Sequence, residues 1–323
     1  MVAVRRGVAA GAVVLLAGGL GLQPVPSAEA VVRAAELTAA EWVTVPSGCA
    51  DDMTGSEPNR VDLPRDGRPH TVRLQRSGTV SNSAVSGTSV VTGTLTGDAW
   101  GSVRMGLAIS SSVTARPRGG TICSLTYKLD SGVVADVTAP RPSWLVISAK
   151  GAVRSGGTAV VAASADSGAE HVVLPGRKLT RLVPAGGYAV GTRVTAQVAV
   201  PATSSTPPAV ASSASVSGSL GLFPIGTLRQ QSGKARAYLT AGHRDCAGRR
   251  VTMTLTPKAA TKARRITLSV NGKRARVLTG KALRRTTVRL TKIPARSDGA
   301  ISATVVTRSG AVRKMTARSW PCA

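Results

Sequence analysis

Arg265-Ile266-Thr267-Leu268-Ser269-Val270-Asn271-Gly272-Lys273-Arg274-Ala275-Arg276-Val277-Leu278 is the stretch that decides the fold class. Ile266, Leu268 and Val270 alternate with Thr267 and Ser269, the period-two pattern of a half-buried strand. Asn271-Gly272 follows at once, and both residue types tolerate the positive φ that a two-residue hairpin turn demands. A return strand is expected over Lys273 to Leu278. Working outward, Val251, Met253 and Leu255 alternate with Thr252, Thr254 and Thr256. Val288 with Leu290, Ile301 to Val306, Val312 to Met315 and Ala237 to Ala241 supply further short strands. About seven strands at regular spacing predict an immunoglobulin-like β-sandwich over residues 223–323.

The preceding region also reads as strands. Candidates are His70–Leu74, Ser89–Leu95, Val103–Ser110, Ile122–Leu129, Trp144–Ala149, Ala159–Ser164, Leu179–Val183 and Thr192–Val200. This number suits a jelly-roll-like sandwich over residues 45–200, with a split into two smaller sandwiches near Pro140-Arg141-Pro142 as the alternative. Residues 31–44 form an N-terminal segment, of which 31–42 has a short-helix reading. Pro201, Pro207 and Pro208 stand among Ser, Ala and Thr, so 201–222 reads as a linker or long loop. The expected whole is an all-β chain of two sandwich regions. Its cores must be built from Val, Leu, Ile and Ala, because it holds one Phe, three Tyr and four Trp.

Residues 1–30 have the form of a signal peptide: Arg5 and Arg6, an apolar run from Val8 to Leu22, then Ala28-Glu29-Ala30. Cleavage after Ala30 is predicted, with the protein secreted or associated with the cell surface. Four cysteines behind such a leader read as two disulfides, and they allow three pairings. Cys49–Cys123 with Cys246–Cys322 gives one bridge per region, each closing a loop of about 75 residues. No CxxC spacing is present, so a zinc or redox site is not expected.

The net charge of +27 is unevenly placed. Residues 31–222 hold 17 Lys/Arg against 12 Asp/Glu, a net of +5. Residues 223–323 hold 23 Lys/Arg against Asp245 and Asp298, a net of +21. The first thirty residues contribute the remaining +1. A module of that charge attracts polyanions at long range, although charge of this size also serves solubility. Outside the cell the candidate polyanions are wall polymers, anionic lipid headgroups, acidic glycans and extracellular DNA. Arg249, Arg250, Arg264, Arg265, Lys273, Arg274, Arg276, Arg284 and Arg285 are the candidate contacts.

With Arg249-Arg250-Val251, Arg265 to Val277 around Asn271-Gly272-Lys273, and the closing Cys322, the module resembles basic β-sandwich modules at the C-termini of secreted actinobacterial proteins. The resemblance covers about a third of the chain. It implies architecture and an accessory role, and it implies no activity. Pro184-Ala185-Gly186-Gly187-Tyr188-Ala189-Val190 is similar to the final-strand entry of secreted sandwiches such as pre-peptidase C-terminal domains.

No catalytic constellation stands out. Tyr238-Leu239-Thr240-Ala241-Gly242-His243 resembles the strand that carries the histidine of chymotrypsin-like proteases. That chemistry also needs a buried orienting carboxylate and an activated serine. Only Asp245 and Asp298 follow His243, and no Gly-Asp-Ser-Gly occurs, so His243 reads as a strand-end surface residue. His70 and His171 have no partner motif. Asp51, Asp52, Glu57, Asp62 and Asp66 interleave with arginines and lack calcium-loop spacing, which favours a solvated loop. Among the platforms a sugar would stack on, Trp100 reads as the best exposed, Trp144 as core and Trp320 as packed on its disulfide. Burial or half-burial is the expected state of all four tryptophans, Trp42 included. No cofactor or metal is expected.

The expected function is therefore non-catalytic: an extracellular binding or surface-associated protein whose basic module contacts an anionic envelope polymer. An extracellular hydrolase of unrecognised type and an extracellular nucleic-acid binder are the alternatives.

Overall fold

A computed structural model describes residues 31–49, 51–56, 59–119 and 123–323. The predicted leader, Glu57 and Ile122 lie outside the described residues. The chain is all-β, and the longest helix among the described residues, α1 (Pro257–Lys262), has six residues.

The first sandwich comprises β1 (Val31–Thr44), β2 (Asp51–Gly55), β3 (Asn59–Asp62), β4 (His70–Val80), β5 (Ser83–Gly97), β6 (Val103–Pro117), β7 (Leu125–Ala139), β8 (Ser143–Arg154), β9 (Gly157–Ala165), β10 (Glu170–Val173), β11 (Lys178–Val183), β12 (Gly186–Val200) and β13 (Val210–Pro224). One sheet has the order β10-β9-β12-β7-β1-β3, and the other β11-β8-β13-β6-β5-β4-β2. Successive strands repeatedly cross between the two sheets, as in a jelly roll. A single hydrophobic cluster runs from Leu37 to Leu222. The split near Pro140–Pro142 is thus not how the chain folds, because β7 and β8 on either side of it belong to different sheets that share one core.

Two expectations are corrected here. Residues 31–42 are not helical: Leu37 and Ala39 point inward with a period of two, and β1 pairs with β7 along most of its length. Burial of that alternating face outweighs the helix propensity of its alanines. Nor is 201–222 a linker throughout. From Val210 it is β13, bonded to β6 on one side and β8 on the other. Its inward residues Ser212, Ala214, Val216, Leu220 and Leu222 are buried.

Aromatics are scarce in this core, so small residues set the spacing between sheets. A Cβ on Gly87 would stand 2.4 Å from the Tyr127 hydroxyl. Three buried hydroxyls bond one another between the sheets: Ser89 lies 3.0 Å from Ser111 and 2.6 Å from Ser131, and Ser111 lies 3.2 Å from Ser131. Mutual bonding offsets the cost of taking these groups out of water.

The second sandwich comprises β14 (Leu228–Ser232), β15 (Leu239–Asp245), β16 (Arg250–Leu255), β17 (Ala263–Val270), β18 (Lys273–Thr279), β19 (Thr287–Leu290), β20 (Ile301–Thr307) and β21 (Val312–Ser319). A five-stranded sheet, β14-β21-β20-β17-β18, faces a three-stranded one, β15-β16-β19. A separate hydrophobic cluster from Ala235 to Ala317 fills the space between them. The Asn271-Gly272 hairpin has the expected positive φ at both turn residues, +48° and +80°. Ala237, expected to open a strand, belongs to the 3-10 turn Lys234–Ala237, and β15 begins at Leu239. The disulfides are Cys49–Cys123 and Cys246–Cys322.

The two sandwiches meet without an intervening linker. Past β13, Ile225 donates its amide to Pro142, Gly226 donates to Trp320, and Trp320 donates to Thr227. The Trp320 ring stacks on Phe223 at 5.0 Å and on Trp144 at 6.1 Å between centroids, and Trp144 Nε1 donates to the Pro321 carbonyl. Trp144 is therefore half-buried at the junction rather than in the core, and Trp320 packs on aromatic rings. Arg104 lies over Phe223 and Arg229 over Trp320, closing the stack with two cations.

Candidate polyanion interface

Strand direction separates the candidate cations into two poles. β21 ends at Ser319, next to Trp320, so its last residues lie at the junction and its first, Val312, lies away from it. Ala263 pairs with Thr307 and Val270 with Ile301, so β17 starts at the distal pole and ends at the proximal one. At about 3.3 Å per residue the poles are roughly 20 Å apart.

Lys273 and Arg274 leave the hairpin turn at the proximal pole. Arg249, in the turn after β15, and Arg250, which opens β16, also lie there. Arg250 is 2.7 Å from Asp245, whose carboxyl is held below its ordinary range chiefly by the Gly248 amide, with Arg250 adding to the effect. Arg276 stands opposite Leu268 near the strand's middle and reaches across the open edge toward the Arg289 carbonyl. The nine candidates thus do not share one surface.

Arg264, Arg265, Arg284 and Arg285 gather at the distal pole. A β-bulge causes the first pair to sit together. Arg264 is the extra residue between Ala263, opposite Thr307, and Arg265, opposite Val306. Regular alternation would turn one of two successive residues inward; the bulge leaves both exposed while Ile266 remains buried. Arg265 lies in one cross-strand row with Thr279 and Val306. These residues and Arg264 line an open cleft of about 460 Å³. Around it, the 3-10 turn Gly280–Arg284 presents Lys281 and Arg284, and α1 ends on Lys262. Arg308 anchors there by donating its amide to the Lys262 carbonyl.

Counter-charge is scarce. Among the described residues, the module's two carboxylates pair with only two cations, Arg250 and, at 3.9 Å, Arg229. Both pairs are on the proximal side, so the distal cations stand without a carboxylate within 4 Å. Sequence reasoning missed Arg244, which is 5% exposed. Its guanidinium donates to the carbonyls of Ser297, Ile293 and Pro294 at 2.9, 3.0 and 2.7 Å. It fixes the loop before β20 and contributes nothing to an exposed basic surface.

The histidine motif assembles no catalytic group. His243 is a half-buried residue within β15, not a strand-end surface residue. Its Nδ1 accepts the Leu228 amide at 3.0 Å, and its ring lies against Trp100. Asp98 accepts the amides of Trp100 and Ser102 through Oδ1 and does not orient the imidazole. Trp100 is thereby partnered, and the most exposed indole belongs to Trp42, 60% exposed. Among the described residues no three His, Cys, Asp or Glu side chains converge as a metal site, and no helix is long and apolar enough to cross a membrane.

No protein family matches the chain, and no curated protein does. Among solved structures, the adhesin domain of Epf from Streptococcus pyogenes is 9% identical over 81% of this chain and 93% of that one, with a TM-score of 0.20. The glycoside hydrolase domain of Endo-D from Streptococcus pneumoniae R6 is 14% identical over 67% and 34%, with a TM-score of 0.20. A β-1,2-glucanase from Parabacteroides distasonis is 11% identical over 64% and 34%, with a TM-score of 0.18. Likenesses at these scores carry no argument about activity.

Proposed function

We propose that this chain is a secreted, non-catalytic binding protein whose C-terminal sandwich attaches to an anionic polymer of the cell envelope. The observation that carries this reading is the distal pole, where Arg264, Arg265, Lys262, Lys281, Arg284 and Arg308 collect around one end of the sandwich with no carboxylate among the described residues paired to them. Unpaired cations at such density raise the local potential and favour a partner carrying many negative charges. The leader-like residues 1–30 and the two disulfides support export.

The test is retention of the full mature chain on purified cell envelopes across a salt series. Attraction between exposed charges decays over about 10 Å at 0.1 M salt and about 3 Å at 1 M. Retention at low salt with release below 1 M is expected. Absence of retention at low salt, or retention indifferent to salt, refutes the proposal.

A further inference from the structure

We infer that the cleft between Arg264 and Arg265 is a discrete site for a phosphate group carried on the polymer, a reading that rests on the proposed function and narrows its ligand class. The bulge turns two successive guanidinium groups out of the same sheet, and the register places the Thr279 hydroxyl beside Arg265. Neither arginine's side chain has an ion-pair or hydrogen-bond partner among the described residues. The site therefore offers two planar forks and a hydroxyl donor around one opening, with the Val306 side chain as an apolar wall.

Geometry selects the anion. A carboxylate has two oxygens in one plane, which a single guanidinium satisfies. A tetrahedral phosphate has oxygens directed out of any one plane and can accept from both forks and the hydroxyl together. A diffuse basic surface would not distinguish these anions at equal charge. This cleft does.

The experiment compares full-length mature protein with Arg264→Gln/Arg265→Gln and with Lys273→Gln/Arg274→Gln. The second variant loses the same charge at the proximal pole. Binding is measured to inorganic polyphosphate and to polyglutamate of matched length, with inorganic phosphate as competitor. The distal variant is expected to weaken polyphosphate binding about tenfold or more. Its effect on polyglutamate should be only the smaller loss seen with the proximal variant on either polymer. Inorganic phosphate should displace polyphosphate from the wild type at lower ionic strength than chloride does. Equal losses for both variants on both polymers overturn the site while leaving polyanion attachment intact. Failure of the wild type to bind either polymer at low salt removes the proposed function along with it.

Discussion

The indole of Trp100, from the first sandwich, lies against the imidazole of His243, from the second, with ring centroids 4.0 Å apart. The His243 Nδ1 lone pair is occupied by the Leu228 amide. The imidazole pKa lies below its ordinary 6.5, chiefly because burial disfavours the cation; Arg141 acts in the same direction, and Asp98 opposes both. The unfolded chain thus takes up the proton first, so this contact stabilises the fold fully above pH 6.5 and less as pH falls below it. Thermal midpoints followed from pH 7.5 to 5 should fall more steeply for the wild type than for His243→Gln, which does not titrate. Parallel curves would contradict this.

Arg244 bonds three carbonyls of the second sandwich, while its buried Nε has no partner among the described residues. Truncation to Ala removes a donor from three carbonyls of the 293–297 loop, of which Pro294 keeps the Ser297 amide and hydroxyl, and opens a cavity. A loss of about 3 kcal/mol in urea unfolding is expected. Arg244→Lys keeps the charge but cannot reproduce the fork across three acceptors, so it should recover only part of the loss. Full rescue by Lys would show that charge, rather than geometry, is what the loop requires.

The Ser89–Ser111–Ser131 cluster should behave as a unit. Replacing any one by Ala leaves the other two hydroxyls paired, at a cost of about 1 kcal/mol. Replacing all three removes every polar group, and the triple variant should cost less than the sum of the singles. Strict additivity in denaturant midpoints would mean that the hydroxyls do not act together.

Much of the strand pattern was legible because alternation is a local property. Val251 to Leu255 and the Asn271-Gly272 hairpin declare themselves within a few residues. β13 did not, because its buried positions include Ser212 and Ala214, whose weak hydrophobicity hides the period beneath a Pro/Ser-rich composition. Short facing residues make such a strand fit, and that information lies in its neighbours. The separation of the basic residues into poles was hidden for a related reason. Arg264 and Arg265 look the same as Arg249 and Arg250 in sequence, and only a bulge and the strand directions distinguish them. Arg244 gave no sign of burial, since its acceptors are backbone carbonyls 49 to 53 residues away.

The path of β13 bears on how this protein could be cut or recombined. The strand is third of seven in its sheet, and its last residues, Phe223 and Pro224, still pair with Trp144 and Ser143. An exchange of C-terminal modules made at residue 201 would carry off an interior strand and leave β6 and β8 with raw edges. An exchange made after Pro224 would sever Gly226 from Trp320. A transferable tail needs a neutral stretch where one fold has finished and the next has not begun, and here the last strand of one sandwich runs into the lock of the other.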